Sequence, residues 1–323
     1  MTNPGSVYDA GMKTTVETLM SGLIDYAGLF PPAACDMPTA AANFARDRAG
    51  LHAFALNRFI CTAGRLDELT EHARVLMPGT YATSGYREMT HIGEPWRISV
   101  VCDRPLDETR QLIDAFNARH AAEDSGLAVA DAIELKAKDA AFIDDAIEQI
   151  PEDIRAFFEI PLGVDFRGMI AALAGNPGIG AKVRCGGVEP GMIPSTERVA
   201  AFIAACAASD VPFKATAGLH HPVRAEQNLT YDPHPPRAVM HGFLNVFIAA
   251  ALARSLGLHE NEIKDVLDET DPTAFVLTDT HAGWRDRRID PAQLALSRSR
   301  FCIGYGSCSF TEPIEDLRRL GLL

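Results

Sequence analysis

An α/β fold, a closed (β/α)8 barrel of the TIM type with a long helical insertion, is predicted by three features of this sequence. Apolar, strand-like runs alternate with alanine-rich segments of helical period, in units of about 30 to 40 residues. Seven such units follow one another, which favours closure into a barrel over an open doubly wound sheet. Charged residues in these runs stand near the carboxyl ends, where α/β folds place their chemistry. At 323 residues the chain reads as one barrel domain, 1–323, with 223–299 inserted within it.

The elements follow in order. Met1 to Met20 is a lead-in, helical from Thr14. Leu23 to Phe30 is the first strand, closed by Pro31-Pro32, which cannot continue a ladder. A helix over Thr39 to Ala49 follows it. The second strand is Ala53 to Cys61 and its helix Arg65 to Leu76. Trp96 to Cys102 and Asp107 to Ala121 form the third unit, and Ala130 to Lys136 with Ala140 to Ile150 the fourth. The fifth pairs Ala156 to Ile160 with a short helix, Phe166 to Ala174. Ala181 to Gly187 and Pro212 to Gly218 are strands six and seven, each ending in glycine, with Ser195 to Ala208 as the helix between them. The eighth strand is placed at Arg300 to Gly304, followed by a turn, Tyr305 to Ser309, and a last helix, Glu312 to Leu320. The alternative, Gly242 to Phe247, has an alanine-rich continuation and reads as helix.

That placement leaves 223–299 as a long excursion. It contains a proline-rich loop from Thr230 to Arg237, a strong helix from His241 to Leu256, a polar helix from Glu260 to Leu267 and an irregular stretch around Trp284. So long a connection is a candidate lid or homo-oligomer contact.

Charge and cysteine content narrow the function. A formal charge of −13 argues against nucleic acid and anionic membranes as partners, and leaves room for a local basic pocket. The seven cysteines are odd in number and form no CxxC pair, so they read as reduced thiols of a cytoplasmic protein. The N-terminus shows no charged-then-apolar signal pattern. The most apolar helix, near Phe243 to Leu256, is interrupted by Arg254 and is too short to span a bilayer.

Only six lysines occur, and two of them, Lys182 and Lys214, lie on adjacent predicted strands. Alternation puts Lys182 with Arg184, Lys214 with Thr216, and Glu134 with Lys136 on shared faces. A charge on the helix-facing side would be stranded in an apolar layer, so these pairs are expected to point into the barrel. The expected site gathers Lys182, Lys214, Lys136, Arg184, Glu134, Glu159 and Asp25. Two neighbouring ammoniums and burial would each disfavour the charged form of Lys182. A neutral amine there forms a Schiff base with a carbonyl, and a carboxylate shuttles protons. The bland alternative is a layer of buried ion pairs without chemistry.

These residues resemble deoxyribose-phosphate aldolase and related class I aldolase barrels, and the resemblance is spread over most of the barrel. Ile24-Asp25-Tyr26 with Leu29 and the prolines is similar to that family's opening strand. Ala130 to Leu135 is similar to its fourth strand, with Glu134 where the family has an acid/base aspartate, and Phe158-Glu159 falls where its fifth strand carries a glutamate. Lys182 matches the Schiff-base lysine and Lys214 the second lysine that lowers its pKa. Ile303 to Ser307 is similar to the phosphate-binding turn after the last strand, which makes Gly306 and Ser307 candidate substrate contacts. The resemblance implies a lyase acting on a small carbonyl compound, phosphorylated or carboxylated, with no cofactor. Three departures stand out. The turn after Lys182 is Val183-Arg184-Cys185-Gly186-Gly187, that after Lys214 is Ala217-Gly218-Leu219-His220-His221, and the excursion has no counterpart.

Arg184 and His220 are the candidate holders of an anionic group. His220 and His221, with carboxylates, also suggest a metal-dependent lyase or hydrolase, although adjacent histidines seldom bind one ion. The Gly304 to Ser309 turn ahead of a helix would suit a phosphate, or is a plain turn with Ser309 or Thr311 as cap. Cys185 and Cys308 sit at strand ends, as reactive thiols or as small buried hydrophobes. A barrel that only binds a metabolite or partner is the third reading.

Overall fold

A computed structural model gives the structure and describes residues 12–80, 93–122 and 125–323. The lead-in before residue 12 lies outside the described residues. A helix α1, Thr14–Met20, precedes the barrel. Seven parallel strands follow: β1 Ile24–Tyr26, β2 Leu56–Thr62, β3 Trp96–Val101, β4 Ala128–Lys136, β5 Arg155–Glu159, β6 Ile179–Arg184 and β7 Phe213–Thr216. Between them run α2 Met37–Arg48, α3 Leu66–Ala73, α4 Leu106–Ala121, α5 Ala140–Ile147, α6 Arg167–Leu173 and α7 Thr196–Ala208. Local chemistry fixes several starts. The Asp36 side chain accepts from the Thr39 N–H at 2.9 Å, and Asp139 accepts from Phe142 at 2.8 Å, capping α2 and α5.

The excursion is more regular than its sequence suggests. A hairpin, β8 Ala225–Asn228 and β9 Arg237–Met240, flanks the proline-rich loop. Helices α8, Phe243–Leu256, and α9, Glu260–Asp268, come next. The stretch expected to be irregular holds an antiparallel sheet of β10 Phe275–Leu277, β11 Ala282–Trp284 and β12 Arg287–Ile289, then α10 Pro291–Arg300. These strands are too short to show a period, but α10 carries a start signal. Asp290 and Gln293 form a reciprocal capping box around Pro291.

The last barrel strand, β13, spans Cys302–Ser307 and precedes α11, Thr311–Arg319. It pairs in parallel with β7 and β1 and closes the eight-stranded barrel in the order β1 to β7, then β13. Tyr305-Gly306-Ser307 is therefore strand, where the sequence suggested a turn. Tyr305 is buried beneath Phe243 and Phe247 of α8, with ring centroids 5.7 and 5.8 Å away. A Cβ at Gly304 would meet the Leu23 carbonyl oxygen at 2.8 Å, so its glycine serves close strand packing instead of a turn. The core continues outside the sheet, where Phe202, Phe213 and Phe301 stack edge to face at 5.4 and 5.3 Å.

Candidate active site

The barrel register sets Lys182 directly beside Lys214 on one side and Glu159 on the other. With Asp25 from β1 and Glu134 from β4 they form an alternating row of charges at the carboxyl end. Lys214 Nζ donates to Asp25 Oδ2 at 2.5 Å and to Glu134 Oε1 at 2.6 Å. Lys182 Nζ lies 2.8 Å from Glu134 Oε2 and 2.8 Å from Glu159 Oε2. Arg184 Nε donates to Glu159 Oε1 at 3.1 Å. Ser99 on β3 adds a hydroxyl donor to Glu134 Oε1 at 2.6 Å.

The two amines therefore share one buried site, but Glu134 stands between them. This corrects the expectation of a destabilised ammonium. Burial alone would lower the pKa of Lys182, yet the Glu134 and Glu159 carboxylates outweigh it and hold that pKa above its ordinary value. Burial would likewise raise both carboxyls. The ammonium of Lys182, joined by Lys214 at Glu134 and by Arg184 at Glu159, keeps them below the usual range. The resting site is a salt-bridged row with Lys182 protonated.

A cavity of about 360 Å³ opens above this row. Lys182, Glu134 and Glu159 reach it, together with Lys136 and Arg184 at its rim. Lys214 and Asp25 do not line it; they form the buried end of the row, 2% and 3% exposed. Asp25 was expected to touch substrate. Instead it braces the site, since its Oδ1 accepts the Arg58 backbone N–H at 3.0 Å while Oδ2 holds Lys214. Gly306 lines the cavity, whereas Ser307 turns to the Ser309 carbonyl at 2.7 Å. Lys136 is exposed, at the rim rather than in the interior.

The lysine strands end in glycine for a steric reason. Gly218 has φ +72°, and a Cβ there would meet the Gly186 Cα at 2.7 Å. The two turns touch, which sets the mouth between them.

The opposite wall carries His220 and Cys308. His220 Nδ1 lies 2.9 Å from Glu312 Oε2, and the Tyr231 hydroxyl donates to the same oxygen at 3.0 Å. Cys308 Sγ is 3.8 and 4.0 Å from the two ring nitrogens. Burial by itself would lower His220; the Cys308 sulfur and Glu312 outweigh it and push the ring up to about 10. His221 turns away to Asp316 at 2.6 Å and lines a neighbouring cavity of about 390 Å³. No group of three or more His, Cys, Asp or Glu side chains is set to hold a metal ion among the described residues. Cys185 is fully buried, and burial pushes its thiol to about 12.

Three contacts of the candidate site escaped the sequence reading: Ser99, Tyr231 and Glu312. Glu312 and Asp316 stand one turn apart on the last helix, each facing one of the paired histidines. That i, i+4 acidic pair was the available signal.

No family model matches this chain, and no curated protein or solved structure matches it either. Fold and site define a closed (β/α)8 barrel with a lysine–carboxylate row under its mouth, an architecture that commonly carries enzymes at that end. No helix among the described residues is long and apolar enough to cross a membrane.

Proposed function

We propose that this chain is a lyase of the class I aldolase type, acting on a small anionic carbonyl compound through an imine on Lys182. The observation that carries the reading is Lys182, buried between Glu134 and Glu159 on the floor of the mouth cavity, with Lys214 behind Glu134. A Schiff base needs an amine in a water-poor pocket, with carboxyl groups in reach for each proton transfer. Lys182 gives a proton to Glu159 or Glu134, and the neutral amine adds to the substrate carbonyl. The same carboxyl then protonates the departing hydroxyl as water, leaving a protonated imine. That imine accepts the electron pair released when the neighbouring C–C bond breaks, while Glu134 takes the proton of the β-hydroxyl. In the reverse direction the bond forms from the enamine.

Lys214 acts on Glu134 from behind. Its hydrogen bond, with that of Ser99, stabilises the carboxylate that must hold and return the proton. Arg184 and Lys136 at the rim, and the His220 imidazolium across the cavity, offer positive charge to a carboxylate or phosphate on the substrate.

The test is borohydride reduction in the presence of a panel of small aldehydes, ketones and 2-oxo acids, read by intact mass. A stable adduct is expected with at least one compound and is expected to vanish in Lys182→Ala. Absence of any adduct across the panel would overturn the reading.

A further inference from the structure

The amino ends of the barrel strands surround a second charged depression, of about 580 Å³. None of its lining residues lines the mouth cavity. Arg58 on β2, Arg97 on β3, Arg155 at the start of β5 and Arg298 on the last turn of α10 line it, with Asn57 and Glu17. Two of these guanidiniums grip one carboxylate. Arg58 donates to Asp131 through Nε at 2.6 Å and Nη2 at 2.9 Å, and Arg97 donates through Nε at 2.8 Å. Arg97 also reaches Asn57 Oδ1 at 3.2 Å. Arg298 is occupied by main-chain carbonyls: Leu19 at 2.8 Å, Ser21 at 3.2 Å, and Cys302. The Arg155 side chain makes no hydrogen bond or ion pair among the described residues.

The charge balance is unusual for this chain. Four arginines line the depression with one carboxylate, Glu17, in a protein of net charge −13; Asp131 pairs with Arg58 and Arg97, and Asp25 acts on Arg58 and Arg298 from the barrel interior. Arg155 is the guanidinium left over, and it lines the concave space.

We propose that the floor depression binds a dianionic phosphate group, free or carried on a small metabolite, with Arg155 as its main ligand and Arg97 beside it. Guanidinium forks match phosphate oxygens in pairs. The site stands at the opposite end from the reacting lysine and does not depend on the imine reading.

The test is calorimetric titration of the full chain with inorganic phosphate and, separately, glycerol 3-phosphate, at ionic strength held constant with chloride. Saturable binding is expected in the wild type and in Arg184→Ala, which alters only the mouth. Affinity is expected to fall about tenfold in Arg155→Ala, the loss of one charge-assisted contact. Arg155 is exposed and unpartnered, so that variant is expected to keep the wild-type circular dichroism and melting temperature. A response to both compounds assigns the site to phosphate itself, and a response to the ester alone assigns it to a phosphorylated metabolite. No saturable response to either would overturn the proposal. So would equal affinities in wild type and Arg155→Ala, or a loss in Arg184→Ala as large as that in Arg155→Ala.

Discussion

Lys182 lies between two carboxylates, and under the proposed function that position sets when its amine loses its proton. Because Glu134 and Glu159 outweigh burial and hold its pKa above the ordinary value, imine trapping is expected to climb with pH from neutrality through the ordinary lysine range without levelling off. A plateau near neutral pH would contradict this and point to a lysine with a lowered pKa. Glu134→Gln removes the carboxylate shared by both ammoniums. It is expected to destabilise the fold by about 3 to 5 kcal/mol in urea unfolding, because two buried cations lose a common partner. His220 tests the other wall. Its unfolded pKa is about 6.5, and Glu312 with Cys308 raises the folded value to about 10. A raised pKa gives stability that is complete below the unfolded value and is lost as pH rises through the folded one. Wild-type stability is therefore expected to fall between about pH 6.5 and 10, and His220→Gln is expected to flatten that fall in denaturant melts. At this scale Lys182, Lys214, Glu134, Glu159 and Arg184 were legible from strand alternation and from their place at strand ends. The pairing was not. Spacing along a strand fixes which face a residue takes, but not that a carboxylate two and three strands away reaches in between two lysines.

The excursion hangs on one side chain of α8. Asn245 is fully buried, its amide donates to the Val266 and Glu269 carbonyls at 2.9 and 2.8 Å, and its oxygen accepts the Arg224 N–H at 2.9 Å. Asn245→Ala strands these groups and is expected to cost about 2 to 4 kcal/mol, read from the urea midpoint. An effect below about 0.5 kcal/mol would mean that water replaces the amide. Elements with a clear period and length, such as the seven strand–helix units, could be read directly. Strands of three residues such as Phe275–Leu277 could not, because they hold no full period. Nor could the run of β13 through Gly304 and Gly306, since glycine signals a turn until the neighbouring backbone is seen at contact distance.

At the scale of the molecule, two charged ends share one barrel. The carboxyl end holds a row of alternating charges under a cavity, and the amino end holds an arginine cluster in excess over its carboxylates. Barrel closure was legible because seven units leave few other ways to bury both faces of a parallel sheet. The floor cluster was not, since Arg58, Arg97 and Arg155 lie far apart in sequence and meet only when the sheet curls. The central claim concerns which of six lysines reacts. Peptide mapping of the borohydride-reduced protein settles that most directly. The account predicts a reduced adduct on Lys182 and none on Lys214, which lies out of reach behind Glu134. An adduct on Lys214, or one spread over the exposed lysines, would contradict it.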